Sequence, residues 1–322
     1  MIISRTPFRI SLFGGGSDYP EWYVKNGGAV LSTTINHYCH ISVRYLPPFF
    51  EHKHRIVWSQ IENVQSIDQI QHPIIRECLK HLDVQEGMEI HHDGDLPARS
   101  GLGASSAFTV GLLNAVHTLQ GKDISRLDLA IEAIYVEHEL VKSNVGSQDQ
   151  TACAVGGFNL IEFGNHKPVI KNIPLSNPGL KQLHDCLLLV FTGFPHDASS
   201  IAATYQFNQR VKELRELHQM AVFAYQTLQT GRILEFGALL DQTWKLKKKL
   251  SGKVSTFYTD SVYDAAKKAG AIGGKLCGAG GGGFMLLFVE PDKQNKVKKA
   301  LESLLFVPFE FEEKGTQIIV RS

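Results

Sequence analysis

The 322-residue chain has no apolar run approaching the roughly 20 residues that a membrane-spanning helix requires. Its charge is nearly balanced, 33 basic against 32 acidic side chains, so no basic excess is available to drive nucleic-acid binding. Cysteine is sparse. Cys39, Cys78, Cys153, Cys186 and Cys277 are scattered, and no two of them form a Cys-x-x-Cys pair. This pattern excludes a disulfide framework and the usual zinc spacing, and reads as reduced, mostly buried thiols. His91-His92-Asp93 is ligand-rich, but successive strand residues face opposite ways, so its two imidazoles would not converge on one metal. The opening Met1-Ile2-Ile3-Ser4 reads as a strand, without the pattern of a secretory leader. A cytoplasmic protein is expected.

Glycine is present in quantity, 29 residues, and much of it is clustered. Residues 97–106 read Pro97-Ala98-Arg99-Ser100-Gly101-Leu102-Gly103-Ala104-Ser105-Ser106. A strand-like run at 88–91 precedes them, and an apolar stretch with helical spacing, 107–119, follows. A Gly/Ser loop at the mouth of a helix offers unpaired backbone N–H groups where the helix dipole favours negative charge. Glycine also lets the backbone approach a ligand closely. The combination is a phosphate cradle. It is not a Walker loop, because no Lys follows Gly103, nor a dinucleotide fingerprint, because position 106 is Ser. Taken alone, such a segment also fits an ordinary strand–helix turn. Two further segments accompany it. Residues 5–19 run from Arg5 through Arg9 to Gly14-Gly15-Gly16-Ser17-Asp18-Tyr19, and residues 275–284 contain Gly278-Ala279-Gly280-Gly281-Gly282-Gly283.

The pattern predicts strands at 2–6, 9–13, 29–35, 39–45 and 55–59, and helices at 73–82, 107–119 and 125–141. Ser125 with Asp128 three residues on resembles a capping box. A hairpin is expected over 158–163 and 169–173, turning at Gly164-Asn165. Asn177-Pro178-Gly179 is the best breaker, dividing an N-terminal domain, 1–176, from a C-terminal one, 177–322. Beyond it the pattern predicts a strand at 186–191 and helices at 201–230, 233–250 and 261–269. A strand at 284–289, a helix at 294–305 and strands at 306–311 and 316–320 follow. The length suits two domains, and the mixed order suggests an α+β architecture.

Three glycine segments in this order and spacing resemble the GHMP kinases, the superfamily of galactokinase, homoserine kinase, mevalonate kinase and phosphomevalonate kinase. The resemblance spans nearly the whole chain. It implies a two-domain α+β GHMP kinase fold, with a ribosomal-protein-S5-like N-terminal domain and a ferredoxin-like C-terminal domain. It also implies transfer of the γ-phosphoryl group of ATP, with Mg²⁺, to a small-molecule hydroxyl. Pro97, Gly101, Leu102, Gly103, Ala104, Ser105 and Ser106 would then hold the triphosphate. The family text G-L-G-S-S-A reads G-L-G-A-S-S here, which favours Ser105 as the metal-binding hydroxyl and keeps Ser106 as the alternative. The family's helix glutamate matches Glu137 best among Glu132, Glu137 and Glu139, with Glu139 the fallback. Asp149, in Gly146-Ser147-Gln148-Asp149-Gln150, would take or polarise the acceptor's proton. Arg9 would stabilise charge on the transferring group or lower the pKa of the acceptor hydroxyl.

Asp18, after Gly15, Gly16 and Ser17, stands where sugar-kinase members accept hydrogen bonds from sugar hydroxyls, and Gly280 and Gly281 would border the same substrate. The opening through Pro20 is similar to bacterial D-glycero-D-manno-heptose 7-phosphate kinases, and more loosely to fucose kinases. The segments 45–52 and 191–193 add to that likeness. The expected reaction is therefore phosphorylation of the anomeric hydroxyl of this sugar phosphate, feeding nucleotide-heptose and surface polysaccharide synthesis. Arg44, Lys53, Arg55 and Arg99 are candidates for a second anion site, because guanidinium groups match phosphate oxygens. Surface charge explains each of them equally well. Lys245, Lys247, Lys248 and Lys249 read as a solvated helix face. No nucleic-acid or membrane partner is expected, and a homodimer is left open. Three alternatives stand beside this reading: a fucose or other hexose 1-kinase, a catalytically silent sugar/ATP sensor, and a non-sugar member such as a mevalonate or homoserine kinase.

Overall fold

Pro7 removes a ladder donor from the first strand, yet it does not end it. β1 runs Ile2–Phe13 as one strand, and the pairing instead slips a step between Pro7 and Phe8. The two strands expected at 29–35 and 39–45 likewise form a single one, β2, Gly28–Tyr45. The computed structural model describes residues 1–193, 201, 204–205 and 207–322. Part of the helix expected over 201–230 lies outside the described residues.

The first sheet continues with β3 (His54–Val57), β4 (Ile61–Val64), β5 (Met88–Gly94), β6 (Phe158–Gly164) and β7 (His166–Ile173). Helices α1 (Pro20–Asn26), α2 (Pro73–His81), α3 (Ala104–Leu119), α4 (Arg126–Tyr135) and α5 (Gln148–Val155) belong to the same half. The helix expected at 125–141 starts on its Ser125 cap, then widens into a π-type turn over Val136–Leu140. The breaker at 177–179 opens a short helix, α6 (Pro178–Asp185), with Asn177 as its cap. The second sheet holds β8 (Leu187–Phe191), β9 (Gly273–Leu276), β10 (Phe284–Phe288) and β11 (Leu305–Val307) in the order β11-β8-β10-β9, all antiparallel. α8 (Ile233–Lys248) and α9 (Phe257–Ala269) pack on its β9, α7 (Val211–Gln229) lies between α8 and strands β1, β2 and β6 of the first sheet, and α10 (Gln294–Ala300) packs on α9. The five cysteines are free and buried.

The end of the chain departs from the expected division. The sequence assigns residues beyond 177 to the second half, but β12 (Phe311–Glu312) pairs with β2 and β13 (Gln317–Arg321) pairs with β1. β13 thus closes the outer edge of the strand that carries Arg9. An edge strand offers unpaired N–H and C=O groups, and this return pairs them. Between the two strands the Thr6 and Thr316 hydroxyls lie 2.8 Å apart, and Asn114 of α3 donates to Thr316 at 3.1 Å. Thr316→Val keeps the shape but leaves buried partners unpaired. It is expected to cost about 1–3 kcal/mol, lowering the unfolding midpoint by roughly 2–4 °C per kcal/mol in a chain of this size. An unchanged midpoint would show that the network contributes nothing.

Candidate active site

α3 begins at Ala104, three residues earlier than its apolar pattern suggests, because Gly103 turns into the left-handed region at φ 76° and serves as the cap. Gly103 has no side chain to satisfy the first N–H groups of α3, so they remain available to an anion. A Cβ on Gly103 would also press on the Arg9 side chain at 3.0 Å. Gly101, at φ 85°, and Gly278, at φ 67°, lie back to back, too close for a Cβ on either. The Phe284 N–H donates to the Ser100 carbonyl at 3.1 Å. The late glycine run is therefore the wall on which the phosphate loop rests. Gly280 and Gly281 within it press on Val254 and Ile201, and Pro97 is half-buried at the start of the loop.

Arg9 is the hub. Its Nε and Nη2 donate to the two oxygens of Asp149 at 2.7 and 2.6 Å, and its Nη1 donates to the Gly101 carbonyl at 2.7 Å. Burial alone would lower the guanidinium's pKa, but the facing carboxylate more than offsets this and holds it above its ordinary value. Asp149 lies in the first turn of α5 with a fifth of its side chain exposed, 21%. The pair offers a carboxylate to an incoming hydroxyl and ties that carboxylate to the phosphate loop.

Asp18 is buried beside this pair. Its carboxylate accepts from the Gly16 N–H at 2.8 Å and from Gln148 at 3.4 Å, and a Cβ on Gly146 would overlap it. Burial pushes its pKa upward. The neighbouring candidates divide. Gly15 faces the same space as Asp18, whereas Gly16 faces Leu250 and Leu214. Ser17 is already used within the fold, since its hydroxyl donates to the Gly14 and Ala29 carbonyls. The expectation that Ser17 serves a substrate is corrected accordingly.

Glu137 is 1% exposed. The Ser106 hydroxyl donates to its Oε2 at 3.0 Å and Gln150 donates to the same oxygen at 2.6 Å; the buried Oε1 makes no hydrogen bond of good geometry among the described residues, with the Thr109 hydroxyl, which donates to the Ser105 carbonyl at 3.1 Å, its neighbour. Burial pushes this carboxyl up to about 7. Glu139 pairs with Lys142 on the surface, and Glu132 bridges His81 and His117. Ser105, preferred from the sequence, is exposed on the helix, whereas its alternative Ser106 is the hydroxyl that meets Glu137.

Two buried lysines escaped the sequence reading. Lys247 is not on a solvated face. It is buried and donates to the Gly278 carbonyl, while Lys245 and Lys248 reach Asp241 and Asp260. The signal was present, because Lys247 falls on the stripe Leu240, Thr243, Trp244 at helical spacing. Burial brings its pKa down to about 8. Lys275 on β9 donates to the Ser11 and Leu12 carbonyls of β1 and joins the two sheets. Of the anion-site candidates, Arg44 and Arg55 pair with Glu89, toward the end of β2 away from Arg9. Lys53 lies next to β3, and Arg99 alone is on the phosphate loop.

Residues 71–157 match the model of the GHMP kinases N terminal domain, and residues 224–305 match that of the GHMP kinases C terminal domain. The D-glycero-alpha-D-manno-heptose 7-phosphate kinase of Campylobacter jejuni is 30% identical over 98% of both chains. This chain is a GHMP kinase. It is accordingly an ATP-dependent phosphotransferase acting on an alcohol. The L-fucokinase/L-fucose-1-P guanylyltransferase of Bacteroides fragilis is 25% identical over 99% of the kinase, which spans 38% of that longer protein. The crystal structure of a D-glycero-D-manno-heptose 1-phosphate kinase from Bacteroides thetaiotaomicron shares the fold over the full length of both chains, with a TM-score of 0.82 at 24% identity.

The buried carboxyl of Glu137 makes stability pH-dependent. Its pKa lies near 7 in the folded kinase and near 4.5 in the unfolded chain. Between those values the folded state holds the extra proton, so the contribution is complete below about pH 4.5 and is lost as pH rises through 7. Glu137→Gln should flatten the melting temperature between pH 5 and 8, a relative gain of about 1–3 kcal/mol at pH 8. Scans with chelator and without nucleotide test this; parallel profiles for both proteins would refute it.

Proposed function

We propose that the kinase phosphorylates the anomeric hydroxyl of D-glycero-D-manno-heptose 7-phosphate, giving the 1,7-bisphosphate for nucleotide-heptose and surface polysaccharide synthesis. The observation that carries the sugar reading is the buried Asp18 carboxylate, held next to the Arg9–Asp149 pair. A carboxylate there accepts hydrogen bonds from a polyol and fixes its orientation against the reacting group. The heptose phosphate follows from the named activity of the full-length Campylobacter relative. Its phosphate would need its own cation; Arg44 and Arg55 are paired with Glu89, and of Lys53 and Arg99, neither ion-paired among the described residues, Arg99 is the one on the loop.

In this reading the N–H groups at the start of α3, with the loop from Pro97 to Ser106, receive the ATP phosphates. Asp149 takes or holds the proton of the acceptor hydroxyl. The hydroxyl oxygen bonds to the γ-phosphorus as the bridging bond to ADP breaks. Arg9 has spent three of its five N–H donors on Asp149 and Gly101. It therefore acts first by fixing the carboxylate, with two donors left for phosphoryl oxygens.

The residues also suit Mg²⁺. Glu137 Oε1 is a buried oxygen that makes no hydrogen bond of good geometry among the described residues, and this cation commonly takes one or two carboxylates together with substrate phosphates. Glu137 would hold it with a loop serine, Ser106 by its present contact or Ser105 by its position among the phosphate N–H groups. Bound there, Mg²⁺ supplies charge neutralisation for the triphosphate.

The test is ³¹P NMR of the kinase with MgATP and D-glycero-D-manno-heptose 7-phosphate, with L-fucose in a parallel tube. An anomeric phosphate signal and ADP are expected in the heptose tube. Product only from fucose would favour a hexose 1-kinase, a reading that the fucokinase relative supports. Asp149→Asn should lower kcat by about 10²–10⁴-fold with ATP binding retained. Unchanged turnover would remove Asp149 from the reaction.

A further inference from the structure

Three buried polar groups converge where Gly15 has no side chain. The position a Cβ would occupy lies 3.4 Å from Ser11 Oγ, 3.8 Å from Gln148 Nε2 and 3.9 Å from Lys247 Nζ. Ser11 Oγ and Gln148 Oε1 have no hydrogen-bond partner among the described residues. Lys247 is 4% exposed, and its ammonium makes one hydrogen bond among them, to Gly278. Asp18 closes the group through Gln148. Buried polar groups left unpaired each cost about 1–3 kcal/mol, and three elements of the fold converge around the unpaired Ser11 and Gln148 oxygens.

We propose that Ser11, Gln148 and Lys247 form, with Asp18, an acceptor subsite that grips adjacent hydroxyl groups of a polyol. The chemistry is complementary. A hydroxyl both donates and accepts; Asp18 accepts, the Lys247 ammonium donates, and the Ser11 hydroxyl and Gln148 amide do either. Adjacent sugar hydroxyls present such a paired pattern, whereas an aliphatic acceptor with one hydroxyl would leave the ammonium unpaired. Lys247 and Asp18 then select together: the ammonium alone would also accept a carboxylate, but Asp18 beside it repels one, so a hydroxyl pair is the group that satisfies both. Ser11 comes from β1, Gln148 from α5 and Lys247 from α8, so the subsite exists only when the first and second halves meet. Glycine at 15 keeps the space open. Its backbone is outside the left-handed region and a Cβ there meets only ordinary contacts, so alanine is tolerated by the fold.

The subsite rests on the sugar-kinase reading above, and the test separates the two. Wild-type enzyme is assayed with D-glycero-D-manno-heptose 7-phosphate, L-fucose and mevalonate, and the variants are compared on the acceptor it uses. Lys247→Met is expected to raise the acceptor KM roughly 10- to 100-fold, the size of one or two lost charge-assisted contacts. The KM for ATP should stay within about two-fold. Gly15→Ala should raise the acceptor KM in the same way with the melting temperature unchanged. It keeps the proposal testable if Lys247→Met does not fold. A sugar-active enzyme whose acceptor KM is unmoved in Gly15→Ala, or moves only in step with the ATP KM, overturns the subsite alone. A wild-type enzyme active only on mevalonate, or on none of the three, overturns the sugar reading and the subsite with it.

Discussion

One ion pair organises the site. The Arg9 guanidinium donates to both oxygens of the Asp149 carboxylate and at the same time to the Gly101 carbonyl. It thereby binds together a strand, the Gly101–Gly103 loop and the helix that carries Asp149. Paired ions out of water are costly unless their geometry is good and their other donors are used, and three hydrogen bonds meet that condition here. The surroundings conform to it. Gly103 lacks a Cβ where Arg9 passes, Gly101 rests against the late glycine run, and β13 seals the strand on which Arg9 sits.

Around this pair the site has two electrostatic zones. Glu137 meets Ser106 at the start of α3, and burial raises its pKa by disfavouring the carboxylate's charge. Asp18, Lys247 and Lys275 sit on the other side, where acidic and basic groups are interleaved. On the proposed reading, negative ligands belong at the helix end and hydroxyl-rich ligands at the inner wall. Division of this kind lets one scaffold keep its nucleotide chemistry while the inner wall alone chooses the acceptor.

The sequence was legible where function demands special backbone. Gly101, Gly103 and Gly278 are needed for left-handed turns and close approach, and such needs are written locally. Arg9, Asp18, Asp149 and Glu137 were proposed through their setting in those segments, and the structure places them near one another. What stayed hidden depends on three-dimensional facing. Ser105 and Ser106 differ only by a hundred degrees of helical turn, which decides which one meets Glu137. Ser17 looks like a ligand residue until its hydroxyl is seen spent on Gly14 and Ala29. Lys247 looked solvated because Lys245, Lys248 and Lys249 surround it in sequence, although the apolar stripe places it inside. The return of β13 to β1 was not readable either, since an alternating strand carries no mark of its partner.

That return has a kinetic side. Ile2 pairs with Arg321, the longest separation in the first sheet, and contacts so distant in sequence form slowly because a large loop must close first. During synthesis the strand bearing Arg9 is made well before the outer neighbour it pairs with. Its edge is open for that interval, a template for pairing with other chains. The start of the strand that goes on to Arg9 is thus completed only by a ladder that forms late.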